Sequence, residues 1–324
     1  MKTCYALFIS VVICSCQSRV EKKGSIVAED GTLKTITGTS LIVLGTMQDA
    51  GSPQAGCTKD CCKDLFLQPD KERRVVSFGL IDALNKKNYI IEATPDLPQQ
   101  LKALKRYSSF SNKETPDGIF VTHAHIGHYS GLMYLGKEAM NTDSTLVYAM
   151  PRMKVFLSQN GPWSQLVNTK NISLHEMTDQ KEIQLSPGLK IIPFIVPHRD
   201  EFSETVGYRI IGPNKKALFI PDIDKWEKWS TDIKDAIAGV DYAFIDGTFY
   251  DAAEINNRDI STIPHPFIIE STKLFKDLPT TEKKKIWFIH FNHTNPVINK
   301  TSEQAKWVLK SGFNIAGIND SFGL

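Results

Sequence analysis

Short continuous apolar runs, more than alternating ones, set the pattern of this chain. They cover Ser40 to Leu44, Val75 to Leu80, Tyr89 to Glu92, Gly118 to Thr122, Leu146 to Ala149 and Leu189 to Val196. Thr205 to Ile211, Ala217 to Ile220, Tyr242 to Ile245 and Ile286 to His290 complete the series. Runs of this length read as strands buried on both faces. Helical spacing of apolar residues marks Leu97 to Lys105, Ser130 to Met140, Arg152 to Ser158, Lys225 to Ala238, Pro266 to Phe275 and Ser302 to Lys310. Strands and helices mixed in this way predict an α/β fold, a buried double layer of sheet with helices outside.

The first residues follow a different pattern. Lys2 precedes an apolar run from Tyr5 to Ile13, too short to span a bilayer, which ends in Ile13-Cys14-Ser15-Cys16. Residues 1–16 thus read as a lipoprotein-type signal peptide. Cleavage before Cys16 and lipid attachment to its thiol would place the protein in the bacterial cell envelope, membrane-anchored outside the cytoplasm; simple secretion is the other reading. Residues 17–38 are polar with mixed charge and read as a tether. Residues 39–324 contain no low-complexity linker and no repeat, so they read as one domain. The net charge of +2 and the single basic run Lys283-Lys284-Lys285 give no footprint for nucleic acid. A small molecule is the expected substrate, and the sequence is silent on oligomeric state.

Candidate chemistry sits where the apolar runs stop. Thr122-His123-Ala124-His125-Ile126-Gly127-His128 places three imidazoles directly after Gly118 to Val121. Histidines at i and i+2 on extended chain share a side and can reach one ion. His198 follows the run in Ile191-Ile192-Pro193-Phe194-Ile195-Val196-Pro197-His198, Asp222 follows Ala217 to Pro221, and His290 ends Ile286-Trp287-Phe288-Ile289-His290. A surface histidine cluster is the bland alternative for the first motif, and an ordinary loop or cap for His198 or Asp222 alone. Asp246 ends another buried run, and His265 lies in Ile263-Pro264-His265-Pro266. Both are candidates for proton transfer or substrate contact, against a turn cap for Asp246 and a plain surface loop for His265.

In this order of ligands the chain resembles the metallo-β-lactamase superfamily, whose HxHxDH motif is followed by a distant His, a bridging Asp and a final His. The branch that includes coenzyme PQQ synthesis protein B is the most similar, through Ala93-Thr94-Pro95-Asp96-Leu97, Phe244-Ile245-Asp246-Gly247-Thr248-Phe249 and His290-Phe291-Asn292-His293-Thr294-Asn295-Pro296. The resemblance runs from about Thr39 to the C-terminus. It implies an αββα sandwich with His123, His125 and His198 at one metal position and His128, Asp222 and His290 at the other.

One departure is chemical. Gly127 stands where the motif has an aspartate that helps hold the second metal. Two dications close together need carboxylates to offset their repulsion. The expectation is one tightly held ion and a second that is weak, absent or rescued by another acid. Asp49, in the loop after the first strand, is the candidate rescuer; a turn role is the alternative.

Cys57, Cys61 and Cys62 form a tight trio. Together with His293 they suggest a closed Cys3His zinc site, because residues three apart on an extended strand face opposite sides and would send His290 and His293 to different metals. A similar split is implied by the resemblance to a cyclic phosphate phosphodiesterase of the same branch. A disulfide from Cys57 to either neighbour is the other reading in an oxidising compartment.

These residues together predict a metallo-hydrolase. A divalent ion held by three imidazoles lowers the pKa of bound water to ~7 and supplies hydroxide for attack on a small ester, lactone, amide or phosphodiester. Zinc is the expected metal, with iron open at the catalytic position because iron shares these ligand types. Two alternatives remain: an iron-dependent oxidative enzyme, as the resemblance to the PQQ branch implies, and a non-catalytic metal- or ligand-binding lipoprotein.

Overall fold

The computed structural model describes residues 36–256 and 258–324. The signal segment, Cys16 and most of the tether lie outside the described residues. Thr35–Leu324 forms one compact unit.

Two seven-stranded sheets carry the fold. The first contains β1 (Thr39–Gly45), β2 (Ser77–Asp82), β3 (Lys87–Ile91), β4 (Gly118–Phe120), β5 (Thr145–Ala149) and β6 (Ile172–Glu176). The second contains β7 (Ile183–Ser186), β8 (Leu189–Ile195), β9 (Val206–Ile211), β10 (Lys216–Ile220), β11 (Tyr242–Asp246), β12 (Ile286–Ile289) and β13 (Asn314–Ile315). The chain's last strand, β14 (Ser321–Gly323), returns to the first sheet beside β1. Each sheet is antiparallel at one end and parallel at the other: β3 to β6 run parallel, as do β10 to β13.

Alternation along each strand explains the layers. Leu41 and Val43 of β1, and Phe78 and Leu80 of β2, point between the sheets, whereas Ile42, Leu44 and Ile81 face the outer helices. Both sides are apolar, so the strands read as continuous runs. Phe78 packs edge-on against Phe219 and Phe244 of the opposite sheet at centroid distances of 4.9 and 4.7 Å.

Helices α1 (Leu97–Tyr107), α2 (Ile126–Tyr129), α3 (Pro151–Gln159) and α4 (Trp163–Asn168) belong to the first half, and Leu97, Leu101, Leu104, Tyr129, Met153, Leu157 and Leu166 cover its sheet. Helices α5 (Ile233–Ala238), α6 (Ile268–Leu274), α7 (Thr280–Lys283) and α8 (Glu303–Lys310) belong to the second, covered by Ile233, Ile237, Ile268 and Val308. The result is the αββα sandwich expected.

Two helical segments differ from the spacing. Ser130 to Met140 holds only a 3-10 turn, Ser130–Leu135, which directly follows the single turn α2. Lys225 to Ala238 is broken: a 3-10 turn spans Trp226–Lys228, Trp229 is extended and donates its indole N–H to Ile195 O, and Asp232 caps a new helix by accepting from Lys234 N. The cap and the indole bond outweigh the apolar spacing that favoured one helix.

Candidate metal centre

The parallel strands of both sheets end on the same side, and the polar residues that follow them meet there. β4 leads into His123, His125 and α2, which carries His128. β8 leads to His198, β10 to Asp222, β11 ends at Asp246 and β12 leads to His290. His265 comes from the loop before α6.

Asp222 is the hub. Its Oδ2 lies 3.1 Å from His128 Nε2, 3.3 Å from His290 Nε2 and 3.6 Å from His123 Nε2. Its Oδ1 lies 3.6 Å from His198 Nε2 and 3.3 Å from His265 Nδ1. His123, His128 and His290 are buried, and the side chain of His198 is fully covered. The Nε2 atoms of all four, with Asp222 Oδ1, have no hydrogen-bond partner among the described residues. Buried lone pairs left this way cost free energy unless something else satisfies them. One atom from each of His123, His125, His198 and Asp222 falls within a single ligand-sized cluster, and Asp49, His128 and His290 form another. The residues therefore fit metal ions, and both sets proposed from the sequence come together.

Outer partners fix the imidazoles. Thr122 Oγ1 lies 2.9 Å from His123 Nδ1, and Thr248 Oγ1 lies 2.8 Å from His290 Nδ1. The Thr248 hydroxyl donates to Asp246 Oδ1 at 2.7 Å, so toward His290 it accepts, and the lone pair of His290 is left on Nε2. Glu92 Oε1 lies 3.4 Å from His128 Nδ1, with both side chains fully buried. Glu92 was legible only as a strand end; its φ of 76° and its burial as a lone carboxylate are tertiary facts. His265 does not sit in a plain surface loop, and Asp246 does cap its turn, Oδ1 accepting from Thr248 N at 2.9 Å. They are buried and paired at 2.9 Å, Asp246 Oδ2 to His265 Nδ1.

Electrostatics follow from this packing. Burial pushes His123 well below the usual imidazole range and lowers His198 and His290 to about 4, leaving neutral rings with free lone pairs. Burial also opposes charge on His128 and His265, yet both are raised: Glu92 and Asp222 outweigh it at His128, Asp246 and Asp222 at His265. Burial would raise Asp222, but His290 and the other surrounding imidazoles hold it well below the ordinary carboxylate range.

The cysteine trio lies apart. Cys57 Sγ and Cys61 Sγ are 4.0 Å apart, Cys61 Sγ and Cys62 Sγ 3.9 Å, and His293 Nδ1 is 3.5 and 3.4 Å from the latter two. All three cysteines are free thiols. Tetrahedral zinc with Zn–S of about 2.3 Å places its sulfurs about 3.8 Å apart, so the cluster suits a Cys3His site. The split of His290 from His293 has a different cause from strand alternation. β12 stops at Ile289, His290 takes a left-handed φ of 66°, and a turn closed by Asn295 N to Asn292 O at 2.8 Å carries His293 to the cysteines.

With this geometry in place, the comparisons with known proteins are decisive on family. Residues 87–291 match the Beta-lactamase superfamily domain. The chain belongs to the metallo-β-lactamase superfamily. Within the superfamily it is similar to coenzyme PQQ synthesis protein B from Methylorubrum extorquens, with 24% identity over 301 residues, 85% of this chain and 97% of that protein. The counterpart from Gluconobacter oxydans is 25% identical over 307 residues, 88% of this chain and 98% of that protein. Among solved structures, zinc-bound PqqB from Methylobacterium extorquens superposes with a TM-score of 0.71 at 22% identity, over 88% of this chain and all of that one. A diphosphatase of the PhnP family gives 0.62 at 21%, over 88% and 96%.

Proposed function

We propose that this protein is a metal-dependent hydrolase of a small ester, lactone, amide or phosphodiester. The observation that carries the reading is the convergence of four partnerless buried Nε2 atoms on the Asp222 carboxylate. A divalent ion bound there supplies a water ionised near neutral pH and a Lewis acid for the substrate oxygen. Asp222 spans the two ligand sets and orients them. His265, held by Asp246 at 2.9 Å and facing Asp222, is placed to hold a proton for a leaving group. Substrate would enter past His125, whose contact Glu201 lines a depression of about 400 Å³ with Arg152, Val155, Phe156 and Phe202.

A panel of esters, lactones, β-lactams and phosphodiesters tests the reading. Turnover of one class, lost on chelation and regained with zinc, is expected, and His123→Ala should abolish it. No turnover of any class by zinc-loaded protein would sink it. Similarity to coenzyme PQQ synthesis protein B supports a second reading, a PqqB-like role, and an iron-dependent oxidative enzyme is its form if iron, which shares these ligand types, fills the site. Anomalous diffraction at the iron and zinc edges separates the two.

We further propose that Cys16 carries the lipid anchor, on the strength of residues 1–16. A Cys16→Ser chain that stayed in the membrane fraction would refute this.

A further inference from the structure

The aspartate missing at position 127 has a counterpart elsewhere in the chain. A Cβ built on Gly127 would lie 2.2 Å from Asp49 Cβ and 2.4 Å from both Asp49 Cα and Asp49 O. These are backbone and near-backbone atoms, which cannot swing aside as the end of a long side chain could. Glycine in the middle of a helical turn costs about 1 kcal/mol relative to alanine, so its presence in α2 calls for a steric reason. Asp49 is that reason.

The loop that brings Asp49 in is tightly held. Gln48 N donates to Phe291 O at 2.8 Å, and Phe291 N donates to Thr46 O at 2.8 Å. Met47 bridges to both Val75 and Phe291. Phe291 directly follows His290, so the clamp fixes Asp49 relative to that imidazole. A turn then closes from Gly51 N to Gln48 O at 2.8 Å. If Asp49 served only the turn, its carboxylate would have no call to face inward. Instead it is half-buried and shares one ligand-sized cluster with His128 and His290, whose Nε2 atoms lack partners.

We infer that Asp49 supplies the carboxylate of the second metal position in place of the motif aspartate, and that Gly127 is the space this exchange requires. The inference rests on the metallo-hydrolase reading and deepens it. The second ion is then held by Asp49, His128, His290 and Asp222, and the Gly127 departure costs the site no negative charge.

Zinc titration into the metal-stripped full-length chain in detergent, with stoichiometry by elemental analysis, tests it. The parent is expected to take two ions at the histidine cluster and one at the cysteines. Asp49→Asn keeps the size and the turn but removes the charge, and should weaken one histidine-cluster ion by at least about tenfold. Gly127→Asp alone should lower the melting temperature through its clash with Asp49. Two equally tight ions in Asp49→Asn would overturn the inference. A parent with one ion at the histidines, unaffected by Asp49→Asn, overturns the inference and leaves the hydrolase reading standing. No ion at the histidines at all overturns both.

Discussion

The hydroxyl of Thr248 has one proton and three polar neighbours: Asp246 Oδ1 at 2.7 Å, His290 Nδ1 at 2.8 Å and His265 Nδ1 at 3.3 Å. Giving the proton to Asp246 makes it an acceptor for His290, so one side chain sets a ligand's tautomer and braces the acid that holds His265. Thr248→Val should therefore lower zinc affinity at the cluster by ~10 to 100-fold in a chelator competition, with Thr248→Ser close to the parent. An unchanged affinity in Thr248→Val would rule out the positioning role. His265 gives a second test. Burial disfavours its charge, but Asp246 and Asp222 outweigh that and raise it above the ordinary imidazole value, so its charged form persists to higher pH than that of a free imidazole. As a proton donor it should make kcat/KM fall as pH rises through its raised value, and His265→Gln should lose that alkaline limb while binding the same number of ions. These partnerships explain why the site was only partly legible at the residue scale. His123, His125, His198, Asp222 and His290 announce themselves as metal-ligating types after apolar runs. Thr122, Thr248 and Glu92 are common residue types; Thr248 and Glu92 meet their imidazoles 30 or more positions away, and Thr122 is marked only by the His123 beside it.

Between β1 and β2 the chain makes one long excursion that serves both metal sites. It places Asp49 beside His128 and His290, and then Cys57, Cys61 and Cys62 around His293. His290 and His293 in turn bracket Phe291, where the excursion is clamped. Burial pushes the Cys61 thiol up to about 12, so a thiolate there needs a cation to stabilise it. Removing that cation should loosen the whole excursion. Cys61→Ser combined with Cys62→Ser is expected to lose one zinc per chain, lower the melting temperature by several degrees and weaken the second ion at the histidine cluster. Loss of the zinc with no change at the histidines would show that the two sites are independent. The pattern of apolar runs located the central strands because both their faces are buried, and β1, β8, β10, β11 and β12 are found within a residue or two. It gave no signal for β6 and β7, which are largely half-exposed, or for the short β13 and β14. Edge strands lack the two-sided burial that makes a run continuous.

Because the cluster draws Glu92, His123 and His128 from the first sheet's half and His198, Asp222, Asp246 and His290 from the second's, metal bound there would tie the two halves of the sandwich together. Ions that bind only the folded chain stabilise it by mass action. The metal-stripped protein should then show the cluster's own pH dependence. His198 and His290 sit at about 4 when folded against about 6.5 when unfolded, and His123 is lowered too. Between these values the unfolded chain takes up protons that the folded one refuses, so stability falls as pH drops from about 6.5 toward 4, by up to about 3 kcal/mol for each of His198 and His290. His128 and His265 are raised instead, by Glu92 with Asp222 and by Asp246 with Asp222. Their contribution is complete below 6.5 and is lost as pH rises through their folded values. The two sets act on opposite sides of one pH, so the cluster's own contribution to the stability of the stripped protein should peak near 6.5. Urea unfolding at pH 4.5, 6.5 and 8.5 measures both arms, and His198→Gln should flatten the acid arm while leaving the alkaline arm in place. Equal acid slopes in parent and variant would mean that burial of His198 does not set the stability of the cluster.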